Sequence, residues 1–504
     1  MHQKLATLLR SPRFFVATVG LLVVQAAWIA LTARYPQAFD EQYHFGIIQA
    51  YAHQWSPFFA HQPANSGTLG ALTANPSFLY HYLMSFPYRL IALFTASQTV
   101  QIVLLRFINI ALLTWGLVLF RKLLLRATPL TGLVHAVLFC FIFIPVVPLL
   151  AAQINYDNLM IPLAALGLLW AVDLAATWRK ERTLSLELTL RLVVLGLLAS
   201  LVKYPFLPFF AAFLALIAGV AWQARHRLGM SMERQYAALA RWKVAAYALL
   251  LLAGSGLCLG SYGRFLVQYH SLTPSCSQAL SVQACQAYAP YGRNYAYEHD
   301  GQPKPTPLAS IPVYAWKWVT QSVTELVFSI GSMFDADGVT VDYDVATPLP
   351  VMAAIAWTIL ITGAIAAALC WRRLWRSDFC RVVLLTTVLY VGALWVDNYS
   401  DYLKTGYPVA IHGRYLLPLL PALLVAFALS YYWLLQRLRL WRMVPQLGRG
   451  WLVIGVLLVA ILQGGGCITY ILRSDPTWFW QQNTVAAKVN EHARQLLSPL
   501  VIGS

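Results

Sequence analysis

Two adjacent carboxylates, Asp40 and Glu41, stand seven residues beyond a long apolar run, in Phe39-Asp40-Glu41-Gln42-Tyr43-His44. If that segment is helical, His44 lies one turn from Asp40 on the same face. Carboxylates beside apolar surface are costly to desolvate, and a charged ligand or a metal is the usual compensation. The plainer reading is a solvated helix start, where acids are favoured. Asp157, in Asn155-Tyr156-Asp157-Asn158, reads either as a turn and N-cap or as a third acid reaching the same membrane face. Arg414, in His412-Gly413-Arg414-Tyr415, is either a snorkelling anchor or a donor to phosphate; Lys203 carries the same two readings. Carboxylates able to move a proton, beside cations able to neutralise an anion, suit a phosphate-bearing lipid substrate.

The elements that position these residues follow from composition. Of 504 residues, 59% are hydrophobic and 11% charged, with mean hydropathy +0.61; ordinary globular proteins are roughly 25% charged. That excludes a cytosolic enzyme, a disordered chain and a secreted disulfide scaffold. The net charge of +17 does not point to nucleic acid, because the basic residues fall in short clusters between apolar runs, as cytoplasmic loops should, and no patch mixes them with aromatics in a nucleic-acid-binding pattern. The N-terminus and the clusters at 121–126, 179–182, 225–243, 372–381 and 437–449 hold 22 of the 36 Lys and Arg but only three acids. This bias places those clusters on the cytoplasmic side.

Parity then resolves the ambiguous runs. Both ends of 182–225 are inside, so that stretch is a helical hairpin turning near Lys203-Tyr204-Pro205. The apolar runs Phe78–Ser97 and Leu308–Phe334 carry charges and aromatics that suit helices lying on the outer leaflet. The fold expected is all-α and polytopic, with about eleven spans near 14–33, 102–120, 131–150, 159–177, 187–202, 205–222, 244–262, 347–370, 382–396, 416–435 and 451–471. Residues 1–471 form one transmembrane domain with outer loops at 34–101 and 263–346, followed by a short outer tail, 472–504. The N-terminus is cytoplasmic, and the membrane is the inner (plasma) membrane. Fourteen of the nineteen acids fall outside.

Cys276 and Cys285 share the second large outer loop, where an oxidising compartment allows a disulfide that staples the loop. Arg106, Asn109 and Asp173 lie within spans and are explained by interhelical pairing as well as by function. Asp335, Asp337, Asp342 and Asp344 have the spacing of a calcium ladder but lack its glycine and terminal Glu. The chain has no phosphate-binding loop, nucleophile elbow, zinc-protease motif or dinucleotide fingerprint.

With an acidic pair after the first span, a further acid after the third and a long first outer loop, the chain resembles the GT-C superfamily of integral membrane glycosyltransferases. That superfamily includes protein O-mannosyltransferases, oligosaccharyltransferases and the transferase that adds aminoarabinose to lipid A. Asn75-Pro76-Ser77-Phe78-Leu79-Tyr80-His81-Tyr82 resembles a segment of bacterial relatives, and Gly413-Arg414-Tyr415-Leu416-Leu417-Pro418 a Gly-Arg-Tyr-x-x-Pro motif of an uncharacterised branch. The resemblance implies a sugar donor on polyprenyl phosphate and a cell-envelope lipid or glycan acceptor. It implies Asp40 as general base for inverting attack, and Glu41, Asp157 or His44 orienting the acceptor or holding a divalent cation such as Mg or Mn. Arg414, with Lys203, would neutralise the leaving phosphate. Only about 30 residues follow the last expected span, which favours a lipid or glycan acceptor over a peptide. An O-antigen-type polymerase or ligase, using Arg264, Arg293 and Arg414, and a lipid-linked-glycan flippase are the rival readings.

Overall fold

The computed structural model describes residues 7–38, 40–64, 66–226, 228–327, 348–438, 455, 458–474, 478–480 and 484–503. Helices make up 78% of the chain, and no strand occurs among the described residues; a single bridge joins Ala33 to Phe479. The helices used below are α1 (Pro12–Thr32), α2 (Glu41–Ala52), α3 (Leu79–Phe94), α4 (Gln98–Ala127), α5 (Thr131–Ile142), α6 (Asp157–Glu181), α7 (Leu186–Val202), α8 (Leu207–Ala224), α9 (Arg241–Cys258), α10 (Ile311–Val327), α11 (Pro350–Leu369), α12 (Asp378–Thr405) and α13 (Leu420–Arg437).

Local chemistry sets several of these ends. Ser11 caps α1, its Oγ accepting from the Phe14 amide at 3.2 Å, with Pro12 in the first helical position. Ser185 and Ser377 cap α7 and α12 in the same way, and Gly406 ends α12 in the left-handed conformation that favours glycine.

Seven helices among the described residues are long and apolar enough to cross a membrane: α1, α4, α6, α8 with its preceding turn, α9 continued to Tyr269, α11 and α12. The protein is thus a helical membrane protein; these seven leave the expected count of eleven unconfirmed, and the reasons are local. The run 131–150 breaks after Ile142 and resumes only as Val146–Ala151, with Pro145 and Pro148 at the break. The helix α7 stops at 17 residues, and α13 has tyrosines, a tryptophan and a glutamine in its later turns. In the last run, Gly464–Gly466 interrupt the helix before Cys467, and 451–454 lie outside the described residues. The hairpin turns where expected, through Tyr204–Phe206. Of the two amphipathic runs, the first forms α3, of 16 residues, too short to span at an ordinary tilt; the second forms α10, and its residues 328–334 lie outside the described residues.

Helices α4 and α6 pack along their length, with α1 against α4. Ala26 and Ala30 of α1 and Ala164 and Ala165 of α6 are buried, and such small residues let helix backbones approach in lipid. By contrast α9 and α11 present Leu249, Leu252, Ile361 and Ile365 outward, as lipid-facing helices do.

One polar residue ties this packing together. Arg106, on α4, has no solvent contact, and all five of its N–H groups are matched. Its Nε donates to Glu41 Oε1 at 2.8 Å and its Nη2 to Glu41 Oε2 at 2.7 Å and to the Arg34 carbonyl. Its Nη1 donates to the carbonyls of Ala30 and Ala33 at the end of α1. Glu41 also accepts from the backbone amides of Gln37 and Ile154. The pair therefore clamps the end of α1, the start of α2 and the loop before α6 onto one turn of α4. Breaking a buried pair by removing one partner costs roughly 3–5 kcal/mol, because an uncompensated charge remains. We expect Glu41→Gln to destabilise the protein by about that amount, read by thermal unfolding in detergent. Arg106→Met combined with Glu41→Gln should recover part of the loss; a double variant no better than Glu41→Gln would show that the freed carbonyls, not the stranded guanidinium, carry the cost.

Candidate active site

Four ionisable side chains from four separated parts of the chain meet at one end of the bundle. Asp40 stands at the start of α2 and Asp157 at the start of α6. Lys203 ends α7, and Arg414 lies in the short turn Gly413–Leu416 before α13. Lys203 Nζ is 2.6 Å from Asp157 Oδ1. Arg414 lies between the two acids, its Nη2 3.4 Å from Asp40 Oδ2 and its Nε 3.6 Å from Asp157 Oδ2. Three of the four are almost wholly buried, while the Asp40 side chain is 44% exposed. The accessible carboxylate therefore sits on a buried base of two cations and one anion.

Each member is held by its neighbours. The Asp40 backbone is left-handed, φ 65° and ψ 26°, a conformation that Asp and Asn tolerate better than most residues but that still stores strain. Asp157 follows a turn in which Asn155 Oδ1 accepts from the Asp157 amide at 2.9 Å, so the turn reading of that tetrapeptide and the placement of Asp157 in a charge cluster hold together. Asn109, one turn beyond Arg106 on α4, accepts from Asn158 Nδ2 and from Tyr80 Oη, and so fixes the same turn from beneath. The Lys203 ammonium rests 4.5 Å from the centre of the Tyr156 ring and 4.4 Å from that of Tyr415, an aromatic cradle for a cation. Burial pulls its pKa down to about 8, against the opposing pull of Asp157. Gly413 is required sterically: a Cβ there would lie 2.4 Å from the Ser322 carbonyl oxygen and 2.6 Å from the Leu326 nitrogen of α10. The residue before Arg414 thus seats the turn directly on a helix backbone.

Glu41 points away from this cluster. Its oxygens are engaged by Arg106 and two backbone amides, so the structure gives it a positioning role. His44 is 4% exposed and its Nδ1 lies 2.8 Å from His81 Nε2. His81 Nδ1 faces the Ser77 carbonyl at 3.1 Å, which can only accept, so that nitrogen carries the proton. Burial holds the pKa of both imidazoles down, that of His81 to about 3. With both rings neutral, His44 Nδ1 must donate to His81, leaving His44 Nε2 unprotonated. Ser77 Oγ also accepts from the Tyr204 amide, so the segment Asn75–Tyr82 braces the hairpin turn that carries Lys203.

A cavity of about 380 Å³ opens beside the cluster, lined by Tyr156, Lys203 and Tyr415 on one side and by Leu394, Asp397 and Asp401 of α12 on another. The donor set does not fit a divalent cation. Arg414 occupies the space between Asp40 and Asp157, and among the described residues no three His, Cys, Asp or Glu side chains converge. Cys276 and Cys285 are disulfide-bonded within the loop that follows α9. Of the two loop arginines of the polymerase reading, Arg264 bonds the Thr73 carbonyl and Arg293 bonds Asn294. Asp335, Asp337, Asp342 and Asp344 lie outside the described residues.

Sequence reasoning set aside Arg106 and Asn109, the two side chains that hold both acidic segments. Their signal was present in the sequence, as polar residues one turn apart inside a span. It also passed over Tyr156 and Tyr415 as the Lys203 cradle, for which an aromatic beside each charged residue was the only trace.

The two buried imidazoles impose an acid limit on stability. Between pH 6.5, the ordinary histidine value, and about 3 the unfolded chain binds a proton at His81 that the folded chain refuses. Stability is therefore lost as pH falls through that window. We expect unfolding temperatures to drop below pH 6.5 and the drop to shrink in His81→Asn, which keeps a donor for the Ser77 carbonyl; an unchanged acid limb would assign it to other groups. No protein-family model matches the chain, and no curated protein matches it at a significant level.

Proposed function

We propose that the protein is a membrane glycosyltransferase of the GT-C type. It transfers a sugar from a polyprenyl-phosphate donor to a lipid or glycan acceptor of the cell envelope at the outer face of the plasma membrane. The observation that carries this reading is one accessible carboxylate, Asp40, on a buried base of Arg414, Asp157 and Lys203, of which Lys203 opens with Tyr415 onto a mostly apolar cavity. The disulfide, in a loop packed on the segment that follows α2 (a Cβ at Gly67 would lie 3.1 Å from the Ala284 carbonyl oxygen), is in keeping with an oxidising compartment on that side.

In this mechanism Asp40 accepts the proton of the acceptor hydroxyl as its oxygen attacks the anomeric carbon. The bond from that carbon to the donor phosphate breaks with inversion, and the phosphate leaves with the electron pair. Arg414 and Lys203 neutralise the charge that develops there, and preorganised charge of this kind is usually the largest catalytic term. Asp157 holds both cations in place, and Glu41 acts through the backbone by fixing the segment that carries Asp40. No step is routed through a metal. The activation energy resides in the donor phosphate, in keeping with the lack of a nucleotide-binding motif.

Three measurements bear on this reading. Asparagine tolerates the backbone conformation of residue 40, so Asp40→Asn removes the base with little other change. Its turnover should fall about 10²–10⁴-fold, followed by mass spectrometry of lipids and glycans with polyprenyl-phosphate sugars; near-normal turnover removes Asp40 from the role. Arg414→Ala should weaken donor binding by at least about tenfold, as loss of a charge-assisted hydrogen bond does, whereas Arg264→Ala should have little effect. Arg414→Lys, which keeps the charge, separates binding from folding, and equal effects of the two alanine variants would reduce both to generic surface charge. Finally, Lys203 sheds its proton as pH rises through about 8, so donor affinity should fall between pH 7 and 9. The sign separates this from unfolding. Between pH 8 and 10.5 the unfolded lysine keeps a proton that the folded one has lost, so this group makes stability rise with pH over that window. Affinity that stays flat to pH 10 would exclude Lys203 from phosphate binding.

A further inference from the structure

The helices α6, α8 and α12, whose site-side ends flank the charge cluster, close around a second cavity at their other ends. Arg179 lies on the same helix as Asp157, and at 1.5 Å per residue the two are about 33 Å apart. That is the hydrocarbon thickness of a bilayer, so the second cavity sits at the opposite membrane interface. Its volume is about 480 Å³.

The cavity has a charged mouth and an apolar floor. Arg179, Arg182 and Arg381 line the mouth with one acid, Asp378, so three positive charges less one negative leave a surplus of two. Asp378 is nearly buried and bonded to both Arg179, at 3.0 Å from Nε, and Arg381, whose side chains remain 61% and 47% exposed. Arg182 ends α6 in the left-handed conformation; its guanidinium lies 5.4 Å from the centre of the Trp178 ring, and it has no carboxylate partner among the described residues. Along the floor run Ala175, Leu216, Gly219 and Val220. A Cβ at Gly219 would meet nothing within 4 Å, so the groove is open there. An arginine-lined mouth at an interface, beside a tryptophan and leading into an apolar groove, matches a phosphodiester headgroup with its acyl chain attached. A free phosphate would use the mouth and leave the groove without a function.

We propose that this cavity binds an anionic phospholipid, with its phosphate on Arg182 and Arg381 and one acyl chain along the Gly219 groove. The site is distinct from the charge cluster and stands whether or not the protein is a glycosyltransferase.

The test is native mass spectrometry of the full-length protein in detergent, titrated separately with phosphatidylglycerol, with phosphatidylcholine of the same chains, and with inorganic phosphate as competitor. Phosphatidylglycerol should bind in preference to phosphatidylcholine. At about 1 kcal/mol per arginine near a membrane surface, Arg182→Ala should weaken it about fivefold, and Arg182→Ala with Arg381→Ala about 25-fold. Arg225→Ala, at the same end of the bundle but outside the cavity, should leave it unchanged. Gly219→Leu, which fills the groove, should weaken the lipid without touching the arginines. Melting temperatures without lipid identify any variant that fails to fold; should Arg381→Ala fail, Arg182→Ala and Gly219→Leu carry the test. Equal binding of the two lipids, or binding indifferent to Arg182→Ala, overturns the proposal. Displacement of the lipid by inorganic phosphate together with indifference to Gly219→Leu overturns it in favour of a free-anion site.

Discussion

Arg106 is a full positive charge with no solvent contact, inside a helix long and apolar enough to cross a membrane. Such a charge is stable only where every donor is answered, and the protein meets that condition by bringing three chain segments to it. The end of α1 supplies three carbonyls, the start of α2 supplies Glu41, and the loop before α6 contributes the Ile154 amide to the same carboxylate. The energetic merit of the pair over an apolar substitute is small or negative. Its effect is geometric, because there is only one arrangement in which five donors and four carboxylate bonds are all satisfied. That arrangement fixes residue 40 as the neighbour of residue 41, and with it the position of the exposed carboxylate.

The adjacent acids Asp40 and Glu41 therefore have opposite fates. Glu41 turns inward and is saturated; Asp40 turns outward in a left-handed backbone and keeps an exposed oxygen. A second layer repeats the design. Asp157 is buried against Lys203 and Arg414, so two cations that would otherwise repel are held side by side, close to neutrality as a group. The neutral histidine pair beneath adds hydrogen bonds and no charge.

The long helices carry charge at both ends. Those that carry Asp157 and Asp401 at one end carry Arg179 and Asp378 at the other. Charges are concentrated at the helix ends and nearly absent between them, as the bilayer requires. Among the described residues one end of these helices carries buried clusters beneath loops and short helices such as α3 and α10, and the other carries arginines with exposed side chains.

Composition and charge asymmetry by themselves determined that this chain is helical and lies in a membrane, because no arrangement in water hides so much apolar surface. They also located the hairpin turn and the segments carrying Asp40, Asp157, Lys203 and Arg414, since each is a charge where an apolar run ends. The span count was less legible: hydropathy counts residues, whereas Pro145 and Gly464–Gly466 break helices by geometry that a window average does not register. The sharing of roles was not legible at all. Nothing in the dipeptide Asp40-Glu41 states which acid faces inward; that depends on where Arg106, 65 residues away in sequence, presents its fork. Likewise, Arg414 reads equally well as an anchor or a ligand until folding brings it between two carboxylates from the beginnings of α2 and α6. Tertiary structure made those choices because satisfying a buried charge is a non-local condition, met only when distant segments converge.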